Sequence, residues 1–192
     1  MRKKVLIILL LVNFQFSYAS FILIPMDAVT QTNHLKAYGI TYWSLNQGNK
    51  AQWLLNYEGG SFLLEDNEAT RSECKIRGVT FHILSDTQTE NILIEISSPS
   101  KNMEAVLLEK APKIAVYSPK DKMPWDDAVT MVLTFAEIPF DVIYDEDVLN
   151  EKLLEYEWLH LHHEDFTGQF GKFYGSYRTA PWYIEQKNDA QE

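Results

Sequence analysis

The chain has 192 residues, with 17 Lys and Arg against 27 Asp and Glu, a formal net charge of −10 and a single cysteine. That balance repels phosphate, and no basic patch lies in the body of the chain, so nucleic acid and an anionic membrane surface are disfavoured partners. Cys74 has no second thiol to pair with, so no internal disulfide holds the fold.

The opening MRKKVLIILLLVNFQFSYAS joins a basic end at Arg2, Lys3 and Lys4 to an apolar run from Val5 to Val12, with a small residue at Ala19. This is the pattern of a secretory signal peptide, since the run is far shorter than the roughly 20 residues a membrane span requires. Residues 1–19 are therefore read as a leader cut after Ala19, and no transmembrane anchor is expected. Cleavage removes 19 of the 192 residues and three cations, leaving 173 residues and a charge of −13. The mature chain is expected to be exported, periplasmic or outer-membrane-associated.

Residues 20–109 read as a smaller α/β segment. FILIPM at 21–26 suits a strand stopped by proline. In TNHLKAYGITYWSLNQG, the spacing of Leu35, Tyr38, Tyr42 and Leu45 predicts an amphipathic helix, with Thr32 as a cap and Gly48 near its end. AQWLLNYEGGSFLL is either a hairpin turning at Glu58, Gly59 and Gly60 or a strand running into something else. A charged helix is expected over 67–78. It carries Cys74, read as structural because neither a glycine turn nor a neighbouring histidine would activate it. VTFHILS alternates like a strand and makes His82 a structural residue, while TENILIEI fits helix and strand equally.

Residues 110–192 show a cleaner alternation. PKIAVYSP is a short strand. The next stretch places Pro124 at a helix start, Asp126 and Asp127 in its first turn, and Ala128, Val129, Val132, Leu133 and Ala136 on one apolar stripe. FDVIY is a second strand running into an acidic loop at Asp145, Glu146 and Asp147. After a helical stretch, YEWLHLHH is the third. This alternation predicts a parallel three-layer sheet of flavodoxin-like type, with chemistry beyond the carboxyl ends of its strands. The closing EQKNDAQE offers no strand to cover the open edge, so the sheet is expected to be incomplete and the chain part of a longer protein.

Three of the five histidines fall within 160–163, and acids follow at once. On a strand His160 and His162 share a face with Trp158, while His163 points the other way. His160 and His162, with Asp165 or Glu164 as a third ligand and Asp145 or Asp147 as a fourth, form a candidate site for zinc or another divalent metal; the signal is a bare HxH, without HExxH or CxxC. Alternatively, the histidines bond to the carboxylates and order the loop. For acid/base work the candidates are His162, His163, Glu164 and Asp165, since a carboxylate beside an imidazole raises its pKa and fixes its tautomer. The glycine-spaced rings Phe166, Phe170, Phe173 and Tyr174, with Arg178, form a candidate contact surface for a protein or small-molecule ligand.

Four stretches, IPMDAVTQTNHLKAYGITYW, WLLNYEGGSF, KIAVYSPKDKMPWDDAVTMVLTFAEIPFDVIYDEDVL and YEWLHLHHEDFTGQFGKFYGSYRTAPWY, resemble the amino-terminal part of a group of exported Bacteroidetes proteins that carry the automatic label asparagine synthetase B. The second segment also resembles the start of a class I amidotransferase-like sheet. The label's chemistry does not fit the residues. Glutamine-hydrolysing asparagine synthetases use a cysteine exposed by Met removal and an SGGxDS loop, whereas position 2 is Arg2, the new end would be Ser20, and no SGGxDS occurs. The sequence thus supports two readings. One is a binding or structural module of the cell envelope; the other is an amidase or hydrolase, metal-assisted, with further catalytic residues outside this chain.

Overall fold

The computed structural model describes residues 20–118, 128–161 and 175–189. The chain divides into two compact units: one runs to Ala111 and takes in Val132–Ile138, and the other comprises Pro112–Met131 and Pro139–Glu192.

The first unit contains β1 (Ser20–Ile24), α1 (His34–Asn46), β2 (Ala51–Leu55), β3 (Ser61–Glu65), α2 (Glu68–Ile76), β4 (His82–Ser85), α3 (Asp86–Ile96) and β5 (Glu104–Leu108). Its sheet has the order β4-β1-β3-β2-β5, and every neighbouring pair is antiparallel. The run β1-α1-β2-β3-α2-β4 is the ferredoxin-like split βαβ arrangement, to which α3 and β5 add a crossover helix and an edge strand.

The expectation of a parallel flavodoxin-like or class I amidotransferase-like sheet is therefore overturned: the larger sheet is antiparallel. The physical reason lies in its burial. Ile22, Ile24, Phe62 and Leu64 pack on one side with Ala37 and Ile40 of α1 and Cys74 of α2. Leu23, Leu54 and Leu63 pack on the other side with Ile96 of α3, and with Ile92 and Leu93 beside it. The alternation of strand and helix over 110–192 suggests a parallel sheet, but FILI and SFLL, buried on both faces, carry unbroken apolar runs that do not reveal how the strands of the larger sheet pair.

Local chemistry explains the elements. The loop between β2 and β3 closes a hairpin; a Cβ on Gly59, at φ +78°, would stand 2.7 Å from the Asp27 amide nitrogen, so only glycine fits. Asn67 caps α2, its Oδ1 accepting from the Thr70 amide at 2.8 Å. Ser85 and Gln88 form a capping box that makes Asp86–Ile96 a helix. Thr32 does not cap α1; Asn33 holds that position, and its Nδ2 donates to the Gly78 carbonyl at 2.7 Å.

The predicted stripe of α1 is also shifted. Leu35 and Tyr38 are exposed, whereas Ala37, Gly39, Ile40, Thr41, Ser44 and Leu45 are buried. Gly39 is where the end of α4 (Ala128–Ala136) rests on α1: an added Cβ would fall inside the van der Waals shell of the Ala136 carbonyl oxygen, 2.9 Å from its carbon. Helix α4 buries Thr130, Leu133 and Ala136, but Val132 from the expected stripe is 40% exposed. It ends in a Schellman motif, with the Glu137 amide donating to Thr134 at 3.1 Å and the Ile138 amide to Leu133 at 2.9 Å. Glu137 takes the left-handed position usually given to glycine, at φ +59°. Its carboxylate meets Lys36 at 2.5 Å and Arg77 at 3.4 Å. The Lys36 ammonium also lies 4.8 Å from the Phe135 ring centre.

The second unit contains β6 (Ile114–Tyr117), β7 (Asp141–Ile143), α5 (Asp145–Leu149), a 3-10 turn (Lys152–Glu155), β8 (Trp158–Leu161) and α6 (Pro181–Asp189). Among the described residues parallel pairing is confined to this three-stranded sheet, ordered β7-β6-β8. Among the described residues no helix is long and apolar enough to cross a membrane.

Candidate functional site

The small parallel sheet reverses its strand order at β6: β7 lies to one side and β8, next in the chain, to the other. In open α/β sheets the crevice beyond the carboxyl ends at such a reversal is where ligands bind. The described residues at that edge are Tyr117, Ser118, Ile143, Tyr144, Asp145, His160 and Leu161.

Registers fix which side each residue serves. Val116 pairs with Val142 and His160, so these three side chains share a face with Ile114 and Trp158. Tyr117 pairs with Ile143 and Leu161 on the opposite face. There the Tyr117 hydroxyl donates to the Asp145 carboxylate. The Tyr117 and Tyr144 rings lie 5.6 Å apart with planes tilted by 33°. The edge is closed below by the Ser118 amide, which donates to the Ile143 carbonyl at 3.1 Å. Two aromatic faces beside a carboxylate suit a ligand that presents a cation or hydrogen-bond donor on an apolar body.

The acidic residues 145–147 are not a loop, as the sequence suggested, but the first turn of α5. The Tyr144 amide donates to Asp147 Oδ2 at 3.0 Å, and carboxylates there complement the exposed amides of the helix start. Asp147 also pairs with Lys152 at 3.1 Å, and this hydrogen bond holds the Lys152 ammonium above its usual pKa.

At the amino-terminal edge of the sheet a different cluster ties the strands together. Lys113 Nζ lies 3.0 Å from Glu155 and 4.4 Å from the Tyr156 ring centre, and the Tyr156 hydroxyl donates to Asp141 at 2.9 Å. The Glu155 carboxylate raises the Lys113 pKa. Main-chain bonds from Glu157 and Trp158 to the Lys113 carbonyl, at 3.0 and 3.2 Å, complete a structural clamp.

Of the residues predicted from sequence, His160 stands on β8 and Arg178 is exposed just before α6. His162, His163, Glu164, Asp165, Phe166, Phe170, Phe173 and Tyr174 lie outside the described residues. Among the described residues no group of three or more His, Cys, Asp or Glu side chains is placed to hold a metal ion. His160 faces the side opposite the Tyr117–Asp145 pair; of the proposed ligands His160, Asp145 and Asp147 are described, whereas His162, Glu164 and Asp165 are not. Cys74 is fully buried and its thiol is pushed up to about 12 by that burial, the wrong direction for a nucleophile. His82 sits exposed on edge strand β4.

The Tyr117–Asp145–Tyr144 group is not evident in the sequence, because its residues meet only through the β6–β7 pairing and the start of α5. The available signal was the position of Tyr117 and Tyr144 as closing residues of PKIAVYSP and FDVIYDED. Comparison of the chain with protein-family models, curated proteins and solved structures gives no match.

Proposed function

We propose that the protein is an exported binding module of the cell envelope, taking a protein or small-molecule ligand at the carboxyl edge of the β7-β6-β8 sheet. The observation that carries this reading is the reversal of strand order at β6, with Tyr117, Tyr144 and Asp145 gathered beside it. The leader-like start and the resemblance to exported Bacteroidetes proteins support the compartment. The class of ligand follows from the wall: an apolar or aromatic body bearing a cationic or donor group, such as an amine or amide.

A thermal-shift screen of amines, amino-acid amides and short peptides tests the proposal, run beside Tyr117→Phe and Asp145→Asn. A ligand that raises the midpoint of the native chain and loses that effect in both variants is the expected result. Stabilising ligands whose effect survives in both variants would refute this edge as the site.

The competing reading is an amidase or hydrolase working with a divalent metal at His160, His162 and Asp165. Purification free of metal, zinc addition and dialysis separate the two. The binding reading expects no stoichiometric zinc; near-stoichiometric zinc lost in a His160→Ala/His162→Ala variant would overturn it in favour of metal-assisted hydrolysis.

A further inference from the structure

Strand β5 is the outermost strand of the five-stranded sheet, and among the described residues no strand pairs with its far side. The ladder fixes which of its groups face outward. The Asp66 amide donates to the Ser20 carbonyl at 3.1 Å, so Phe62, Leu64 and Asp66 bond toward β1 while Ser61 and Leu63 bond toward β2. Their partners Leu54 and Gln52 therefore face β3, and Ala51, Trp53 and Leu55 face β5 through Leu108, Val106 and Glu104. The strand amides and carbonyls that point away from the sheet are those of Ala105 and Leu107. Both residues are exposed, Leu107 at 51%. Between Glu104 and Glu109 the edge carries neither a charge nor a proline, two common means of keeping an edge strand unpaired.

We propose that β5 pairs antiparallel with β5 of a second copy of this chain, about a two-fold axis at Leu107, joining the two five-stranded sheets into one. Such an axis makes every cross-strand pair occur twice. Glu104 of each copy then stands opposite Lys110 of the other, which gives two ion pairs at the ends of the contact. Val106 of each copy meets Leu108 of the other, apolar against apolar, and the two exposed Leu107 side chains meet at the axis. Ala105 lies opposite Glu109, whose carboxylate Lys50 already holds at 3.9 Å. Moving the axis by one residue keeps the same outward groups in use, but sets Glu104 against Leu108 or Lys110 against Val106 and loses both ion pairs. Side-chain chemistry thus selects a single register and a single partner, the same strand. The contact is one short strand from each copy, so the dimer forms with rising concentration rather than being permanent.

Sedimentation velocity of the full chain is expected to show a reversible monomer–dimer equilibrium. Leu107→Lys sets two ammonium groups against each other at the axis; it abolishes the dimer and, at an exposed position, leaves the melting point of the monomer unchanged. Glu104→Lys and Lys110→Glu each weaken dimerisation roughly tenfold, the scale of two cross-strand pairs turned from attraction to repulsion. The double variant restores opposite charges in the same register and recovers the dimer. A chain that stays monomeric up to roughly 1 mM, a dimer that survives Leu107→Lys, or a double variant no better than the single ones overturns the proposal.

Discussion

Replacing Gly39 with alanine sets two opposed effects against each other. In an unobstructed helix interior the change is favourable by about 1 kcal/mol, because alanine loses less backbone entropy than glycine. Position 39 is not unobstructed: the new Cβ would lie 2.9 Å from the Ala136 carbonyl carbon and 3.4 Å from its Cα. Carbon atoms rest at about 3.5–4.0 Å, so the α4 terminus must retreat by the better part of an ångström. The obstacle is backbone held by the Schellman bonds, not a side chain that can swing away. Retreat also draws Glu137 from Lys36 and Arg77 and lifts Phe135 from the Lys36 ammonium. Overpacking of this kind costs about 1–3 kcal/mol, enough to outweigh the helical gain. After subtraction of the helical gain of about 1 kcal/mol, urea unfolding of Gly39→Ala should show a net loss of up to about 2 kcal/mol, with faster amide exchange at Ile138. A stabilised variant would refute the contact, since only a free helix face gives that sign.

Other outcomes follow from single groups. The Cys74 thiol should resist a disulfide reagent at pH 8 in the native protein and react fully in denaturant; ready labelling of native protein would show that α2 does not bury it. Asn67→Ala should lower stability by about 1 kcal/mol through loss of the α2 cap, and Asn67→Asp should restore most of it; equal losses would exclude capping as the cause. Arg71 beside Asp66, and Lys36 beside Glu137, hold both carboxyls below their ordinary values. Such groups bind protons more readily in the unfolded chain, so their contribution is complete above about pH 4 and is lost as the pH falls through the lowered values. Stability measured between pH 6 and 2 should therefore fall less steeply in Asp66→Asn than in the native chain; parallel curves would contradict this.

Much of the element order was legible, because strands and helices announce themselves locally. FILI, VTFHILS, KIAVY and WLHL carry their strands in a few residues each, and the glycine turn at 58–60 marks its hairpin. The pairing between strands was not legible. Whether FILI runs parallel or antiparallel to SFLL depends on what covers each face, and helices on both sides erased the alternation that marks an antiparallel strand. Strand β5 escaped because EAVLL has two half-covered residues and no clean period. The helix at Asp86–Ile96 is decided by its first residues, Ser85 and Gln88, rather than by the ambiguous NILIEI core. By local propensity Gly39 counts against a helix, yet the residue is there for a neighbour about a hundred positions later. The site showed the same division: acids 145–147 were visible, but the turn they start and the tyrosine they hold depend on the strands around them.

The place of β1 in its sheet governs the order in which the first unit can assemble. Strand β1 is one of the central ones, joined to β3 by residues 62–65 and to β4 by residues 82–85. Without it, β4 has no neighbour and the ladder β3-β2-β5 ends in an open edge. Both pairings span long stretches of chain, so the sheet closes late and only when the amino terminus is at hand. A chain whose β1 is held elsewhere keeps the ladder β3-β2-β5 and a lone β4, so the five-stranded sheet cannot close until β1 is released.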